Sequence, residues 1–204
     1  MPGFVARLIR PFTTSTRLSL QPETQSAAMK DIPPNAQKCT VAAGCFWGVE
    51  HLFRKHFDNK GLLDARVGYI GGDTSNPSYR SVCSGRTGHA EALQVVFDPE
   101  KVSYSTLLQF FYKVHDPTTK DRQGMDAGTQ YRSGIFWHSP EQKEVAEEVT
   151  RKVNEQWWKG RVTTQVIEAG TWWDAEDYHQ KYLHHNPGGY ECPAHFVRNL
   201  PDLK

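Results

Sequence analysis

Apolar positions between residues 38 and 204 recur with two different periods, and the switches between them outline the fold. Cys39-Thr40-Val41-Ala42-Ala43 predicts a short buried strand, broken by Gly44. From Cys45 onward, Phe46, Val49, Phe53 and either His56 or Phe57 fall at helical spacing. Leu63 to Tyr69 predicts a strand that ends at Gly71-Gly72. The polar stretch from Asp73 to Gly88, with Asn76-Pro77 and Ser84-Gly85, predicts a long loop, a feature that in compact domains usually serves function. His89 to Phe97 alternates as a strand and stops at Asp98-Pro99. Ser103 is the expected cap of a helix carrying Leu107, Leu108, Phe111 and Val114. Lys120 to Thr129 is a second polar loop, followed by a strand-like run from Tyr131 to Trp137.

Ser139-Pro140-Glu141-Gln142 has the cap, first-turn proline and capping-box glutamine of a helix start. Val145, Val149, Val153 and Trp157 then form one stripe, with Gly160 as the expected end. Val162, Thr164 and Val166 alternate as a strand, and Asp177 to His184 suits a last short helix. From Asn186 onward no period holds. The order predicts an α/β fold (an α+β sandwich), with a mixed sheet packed by helices and a long irregular C-terminal tail.

Residues 1–37 do not join this pattern and end in Pro33-Pro34-Asn35. The reading is an N-terminal tail over 1–37 and a single folded domain over 38–204. A length of 204 residues suits one well-buried domain, and an aromatic content of 12% argues for a packed core rather than disorder. Residues 1–30 carry Arg7, Arg10, Arg17 and Lys30 against one acid, Glu23, in an Arg-, Ser- and Thr-rich stretch without an apolar h-region. That is the composition of an organelle transit peptide, and an unaddressed tail is the plain alternative. With Met29 as an internal start, the expected location is mitochondrial, cytoplasmic or both. A net charge of +1 gives no reason to expect nucleic acid or a membrane surface as partner. No apolar run approaches the roughly 20 residues of a spanning helix. Nothing in the pattern requires an oligomer, so a monomer is expected.

The cysteines, Cys39, Cys45, Cys83 and Cys192, are widely spaced, and no C-x-x-C pair occurs. Each thiol is therefore read by itself. Cys45 follows a strand and a glycine and stands at the start of a helix, where exposed N–H groups and the helix dipole favour an anion and should lower a thiol's pKa. The same place suits a small buried cysteine packed between strand and helix, so position leaves both readings open. Phe46 and Trp47 beside it can wall an apolar pocket. Phe46 also fits the helix stripe, but Trp47 lies off it and needs another explanation.

Glu91 shares a strand face with Leu93, Val95 and Phe97. A carboxyl at the end of an apolar face is desolvated, its pKa rises, and it can act as a general acid; an exposed strand end would leave it facing water. Tyr79, Asp126 and Tyr131 lie in the polar loops and can hydrogen-bond a ligand oxygen, as can any loop residue of their type. His184, His185, Cys192 and His195 fit no common zinc spacing, so no metal is expected.

These residues stand in longer motifs: Gly44-Cys45-Phe46-Trp47-Gly48, Gly68-Tyr69-Ile70-Gly71-Gly72, Asn76-Pro77-Ser78-Tyr79, Thr87-Gly88-His89-Ala90-Glu91, Gly128-Thr129-Gln130-Tyr131-Arg132-Ser133 and Asn186-Pro187-Gly188-Gly189-Tyr190. Together, over about residues 38–196, the chain resembles the A-type peptide methionine sulfoxide reductases. The resemblance implies that family's α/β sandwich around a mixed sheet. It implies Cys45 as catalytic cysteine, Phe46 and Trp47 as the pocket for the substrate methyl group, and Glu91 as the acid that protonates the sulfoxide oxygen. Tyr79, Asp126 and Tyr131 would orient that oxygen. Family members carry one or two recycling cysteines near the C-terminus; this chain has Cys192 there, which makes it similar to the single-resolver type, while Cys83 matches no catalytic position.

The implied activity is reduction of the S epimer of methionine sulfoxide, free or in oxidised proteins. It proceeds through a Cys45 sulfenic acid and a Cys45–Cys192 disulfide that thioredoxin or another dithiol reduces, without a cofactor. Gly188-Gly189 would give the tail the freedom to approach. A thiol peroxidase would also use a reactive cysteine and a resolver, but peroxide needs no apolar pocket. A methionine-binding module would need the pocket but neither Glu91 nor Cys192.

Overall fold

The computed structural model describes residues 32–204. The N-terminal segment read above as transit-peptide-like lies outside the described residues up to position 31. Along the chain run β1 (Gln37–Ala43), α1 (Phe46–Phe57), β2 (Leu62–Ile70), α2 (Tyr79–Cys83), β3 (Ala90–Phe97) and α3 (Tyr104–Val114). Then come β4 (Arg122–Gln123), β5 (Asp126–Ala127), β6 (Ser133–Trp137), α4 (Pro140–Gln156), β7 (Gln165–Glu168), β8 (Trp173–Asp174) and α5 (Tyr182–His185). Two short 3₁₀ turns, Thr129–Tyr131 and Asp177–His179, complete the list.

Six strands form one sheet in the order β7-β6-β1-β3-β2-β8, and β4 pairs with β5 in a separate hairpin. Every pairing in the large sheet is antiparallel except β6 with β7, so the sheet is mixed, as its sequence predicts. The period-2 patterns set its faces. Val41 and Ala43 of β1, Val67 and Tyr69 of β2, and Leu93, Val95 and Phe97 of β3 point to one face and join Phe46, Val49, Phe53 and Phe57 of α1 in a single core. Helices α3 and α4 add Leu107, Phe111, Val149 and Val153 to that core. Aromatic edges lock α1 to α3: Phe53 meets Phe110 with ring centroids 5.1 Å apart, and Phe57 meets it at 5.0 Å. The opposite face carries a smaller cluster of Ala42, Ile70, Ala90, Ala92 and Phe136.

Helix starts follow their sequence signals. Ser103 accepts from Thr106 N–H, and Ser139 accepts from Gln142 N–H, with Pro140 in the first turn. Gln142 departs from the capping box, because its side chain accepts from His138 N–H and donates to the Lys38 carbonyl, tying α4 to β1.

Several expected boundaries move. The loop from Asp73 to Gly88 contains α2, nucleated by a reciprocal Ser78–Ser81 capping box that polar composition had hidden. The strand expected from Tyr131 starts at Ser133, because the backbone at Thr129–Tyr131 turns as a 3₁₀ helix. The strand expected from Val162 starts at Gln165, because Val162 N–H is taken by Asn154 Oδ1 and Thr163 N–H by the Pro117 carbonyl. The last expected helix splits into the 177–179 turn and α5, interrupted at Lys181, whose φ of 53° is left-handed. Beyond α5 the tail is irregular and lies docked on the domain.

Candidate active site

The turn between β1 and α1 creates the position of Cys45. Gly44 has φ +89°, and a Cβ there would sit 2.5 Å from Gln123 Cβ, so both backbone conformation and space require glycine. Cys45 is the N-cap of α1 and not a residue of its first turn. It is 7% exposed, and its side chain makes no cap hydrogen bond, although the nearby Trp47 N–H favours its thiolate.

The expected lowering of the Cys45 pKa does not occur. Burial drives the thiol upward, the nearby Glu91 carboxyl adds to this, and the single Trp47 N–H does not offset them. Desolvation outweighs the helix terminus, and Cys45 rests as a thiol.

Glu91 lies inside the protein at 1% exposure, so it does not face water. It pairs across the sheet with Tyr69, and its Oε2 accepts from the Phe46 N–H at 3.2 Å. Its carboxyl is pushed up to about 8, first by burial and further by the charge of Asp126, against the opposing pull of the Phe46 N–H. A carboxyl at that value is mostly protonated at neutral pH.

Phe46 is fully buried, with its ring centroid 5.1 Å from His179 and 6.0 Å from Tyr69. Trp47 has its explanation in residues far along the chain. Its indole stacks on Tyr182 at 3.8 Å and 15°, and its Nε1–H donates to His179 Nδ1 at 3.0 Å. The acceptor role of Nδ1 assigns the ring proton to Nε2, which has no hydrogen-bond partner and lies 4.0 Å from Glu176 Oε2. Glu176 in turn accepts from Tyr69 Oη at 2.8 Å and from the Tyr79 N–H at 2.9 Å, joining three segments around the aromatic pair.

The loop residues converge here as well. Burial raises the Tyr79 and Tyr131 hydroxyls, which stay neutral donors, and both feel the Glu91 carboxyl. Asp126 Oδ1 accepts from Tyr190 Oη at 2.9 Å, while its Oδ2 is buried and unpartnered. Cys192, at 2% exposure, donates from Sγ to the Gln123 carbonyl at 3.5 Å and is near enough to Cys45 to raise that thiol. Both cysteines are free. The structure thus gathers Cys45, Phe46, Trp47, Tyr79, Glu91, Asp126, Tyr131 and Cys192 in one place. Cys39 is buried in the core away from it, and Cys83 sits beside Tyr79 and Tyr131. Among the described residues, no group of three or more His, Cys, Asp or Glu is arranged to hold a metal ion.

The description "Peptide methionine sulfoxide reductase" belongs to the family model that matches residues 37–201. The chain belongs to this family. A probable peptide methionine sulfoxide reductase of Schizosaccharomyces pombe is 48% identical over 164 residues, 79% of this chain and 96% of that protein. The crystal structure of Mxr1 from Saccharomyces cerevisiae in reduced form is similar with a TM-score of 0.80 at 39% identity, covering 85% of this chain and 98% of that one. Mxr1 in complex with Trx2 matches with a TM-score of 0.59 at 28% identity, covering 85% and 97%.

Within this peptide methionine sulfoxide reductase, four residues to which the sequence assigns no role complete the site: Glu176, His179 and Tyr190, which stand in motifs shared with the family, and Tyr182. One signal was available: Trp47 off the helix stripe demanded a partner outside the helix.

Proposed function

We propose that this family member reduces the S epimer of methionine sulfoxide, free or within oxidised proteins, with Cys45 as nucleophile, Glu91 as acid and Cys192 as resolving thiol. The single observation that carries the reading is the neutral, buried Glu91 carboxyl held at the helix start beside a buried thiol and an aromatic wall. The choice of epimer rests on the family resemblance.

The first step begins with both groups protonated. Glu91 gives its proton to the sulfoxide oxygen, which makes the substrate sulfur electrophilic and spares the oxygen from leaving as an oxide. Cys45 sulfur attacks the substrate sulfur and gives its proton to Glu91; the substrate S–O bond breaks as the hydroxyl passes to Cys45, so methionine departs and Cys45 is left as a sulfenic acid. Phe46 and Trp47 receive the methyl group, while the neutral Tyr79 and Tyr131 hydroxyls donate to the oxygen and Asp126 orients its neighbours. Cys192 thiol then attacks the sulfenic sulfur, the S–O bond breaks, and water leaves as the disulfide forms. An external dithiol reduces that disulfide; the yeast relative solved with Trx2 supports thioredoxin in this role. Up to the disulfide the protein's own side chains supply every group, and the scheme calls on no cofactor. The test is turnover of each sulfoxide epimer separately with thioredoxin as donor: reduction of the S epimer alone is expected, and equal or reversed preference overturns the epimer assignment.

A further inference from the structure

The tail beyond Cys192 carries a residue that the reaction scheme does not use. His195 N–H donates to the Cys192 carbonyl at 2.9 Å, so the two residues share one tight turn. The His195 ring reaches past Gly44 and hydrogen-bonds the Ala43 carbonyl through Nε2 at 2.6 Å, two residues before Cys45. Nε2 must carry the proton to donate there, which leaves Nδ1 as a lone pair, shut off from solvent and without a partner. That edge of the ring lies against Gly48. A Cβ added at Gly48 would come 2.5 Å from His195 Nδ1 and 3.3 Å from its Cγ. Glycine inside a helix costs roughly 0.5–1 kcal/mol relative to alanine, and the ring occupies the space that an alanine would need.

We propose that His195 is a positioning residue, a latch that seats the tail on the turn carrying Cys45 and thereby sets the rate at which Cys192 closes on the Cys45 sulfenic acid. The inference rests on the roles given above to Cys45 and Cys192. Farther along, the tail is held independently: Arg198 N–H donates to the Lys113 carbonyl at 2.9 Å, and Trp157 Nε1–H donates to the Pro201 carbonyl at 2.9 Å. Losing the latch therefore loosens the Cys192 turn, which keeps its bonds from Cys192 Sγ to the Gln123 carbonyl and from Arg198 to the Ala194 carbonyl, without releasing the whole tail. The step it governs is balanced within the protein: the Cys45 S–O bond breaks, the Cys45–Cys192 S–S bond forms, and the Cys192 thiol proton leaves with the hydroxyl as water.

The test uses the full reduced chain in single turnover with methionine sulfoxide, following methionine release and disulfide formation separately. Wild type, His195→Ala and His195→Gln are compared, since a glutamine Nε2 can donate to the same carbonyl. Methionine release should stay within about twofold in all three, while the disulfide should form roughly 10-fold more slowly in His195→Ala and recover to within about threefold in His195→Gln. Alkylation of Cys192 in the reduced protein should be faster in His195→Ala alone. A disulfide rate in His195→Ala equal to wild type, a glutamine variant as slow as alanine, or loss of the methionine burst in His195→Ala overturns the latch. Absence of a burst in wild type instead overturns the reductase reading itself.

Discussion

Glu91 Oε2 accepts the backbone N–H of Phe46, the residue after Cys45, at 3.2 Å. This bond ties the end of a central strand to the first turn of α1. It fixes the carboxyl beside the thiol and uses one of the helix's orphan donors. Burial still wins over that bond, and the acid remains protonated at neutral pH.

Glu91→Gln keeps the shape and the acceptor and removes the proton. Single-turnover methionine formation should slow by roughly 100-fold or more. In wild type the rate should fall as pH rises past about 8, where the carboxyl ionises, and the glutamine variant should lack that limb. A variant rate within about threefold of wild type contradicts the general-acid role.

The same shift bears on stability. The Glu91 carboxyl is raised on folding, so the folded state holds a proton that the unfolded chain releases above the ordinary carboxylate range. Its contribution is complete below the unfolded value and is lost as pH climbs through about 8. Denaturant midpoints of wild type should therefore decline from pH 6 to 9 more steeply than those of Glu91→Gln, and parallel curves would refute this.

His179→Leu removes the acceptor for the Trp47 indole and leaves the Tyr182 stack. KM for the sulfoxide should rise several-fold, in line with about 1 kcal/mol for one lost hydrogen bond, and Trp47 fluorescence should change. An unchanged KM would place the methyl pocket elsewhere.

Gly44→Ala combines a positive φ with a 2.5 Å approach to Gln123. It should destabilise the protein by about 1–3 kcal/mol and displace Gln123, whose carbonyl holds Cys192. Thermal denaturation gives the first value, and an unaltered midpoint would contradict the packing described.

Much of this site was legible from local pattern. Strand alternation placed Glu91 on the core face with Leu93 and Val95, and the break at Gly44 put Cys45 at a helix start. What escaped depends on contacts made over long separations. The sign of the Cys45 shift was misjudged because the helix terminus is visible in sequence, whereas the burial that overrides it is set by the folded surroundings. The partners of Trp47 lie at His179 and Tyr182, beyond any local period. Gly188-Gly189 suggested a tail free to approach, yet Cys192 already rests on Gln123 before any disulfide exists. The helix at Tyr79–Cys83 was missed because its capping box is built from two serines within a polar run.

The central claim, that Cys45 reacts and Cys192 resolves, is tested most directly by Cys192→Ser, with methionine measured in a single turnover and then in steady state with thioredoxin and with dithiothreitol. One methionine per enzyme should still form, because the first step needs only Cys45, Glu91 and the pocket. Steady turnover with thioredoxin should collapse for want of a disulfide, while dithiothreitol, which reaches the sulfenic acid itself, should sustain most of it. Loss of the first methionine, or full turnover with thioredoxin, would contradict the account.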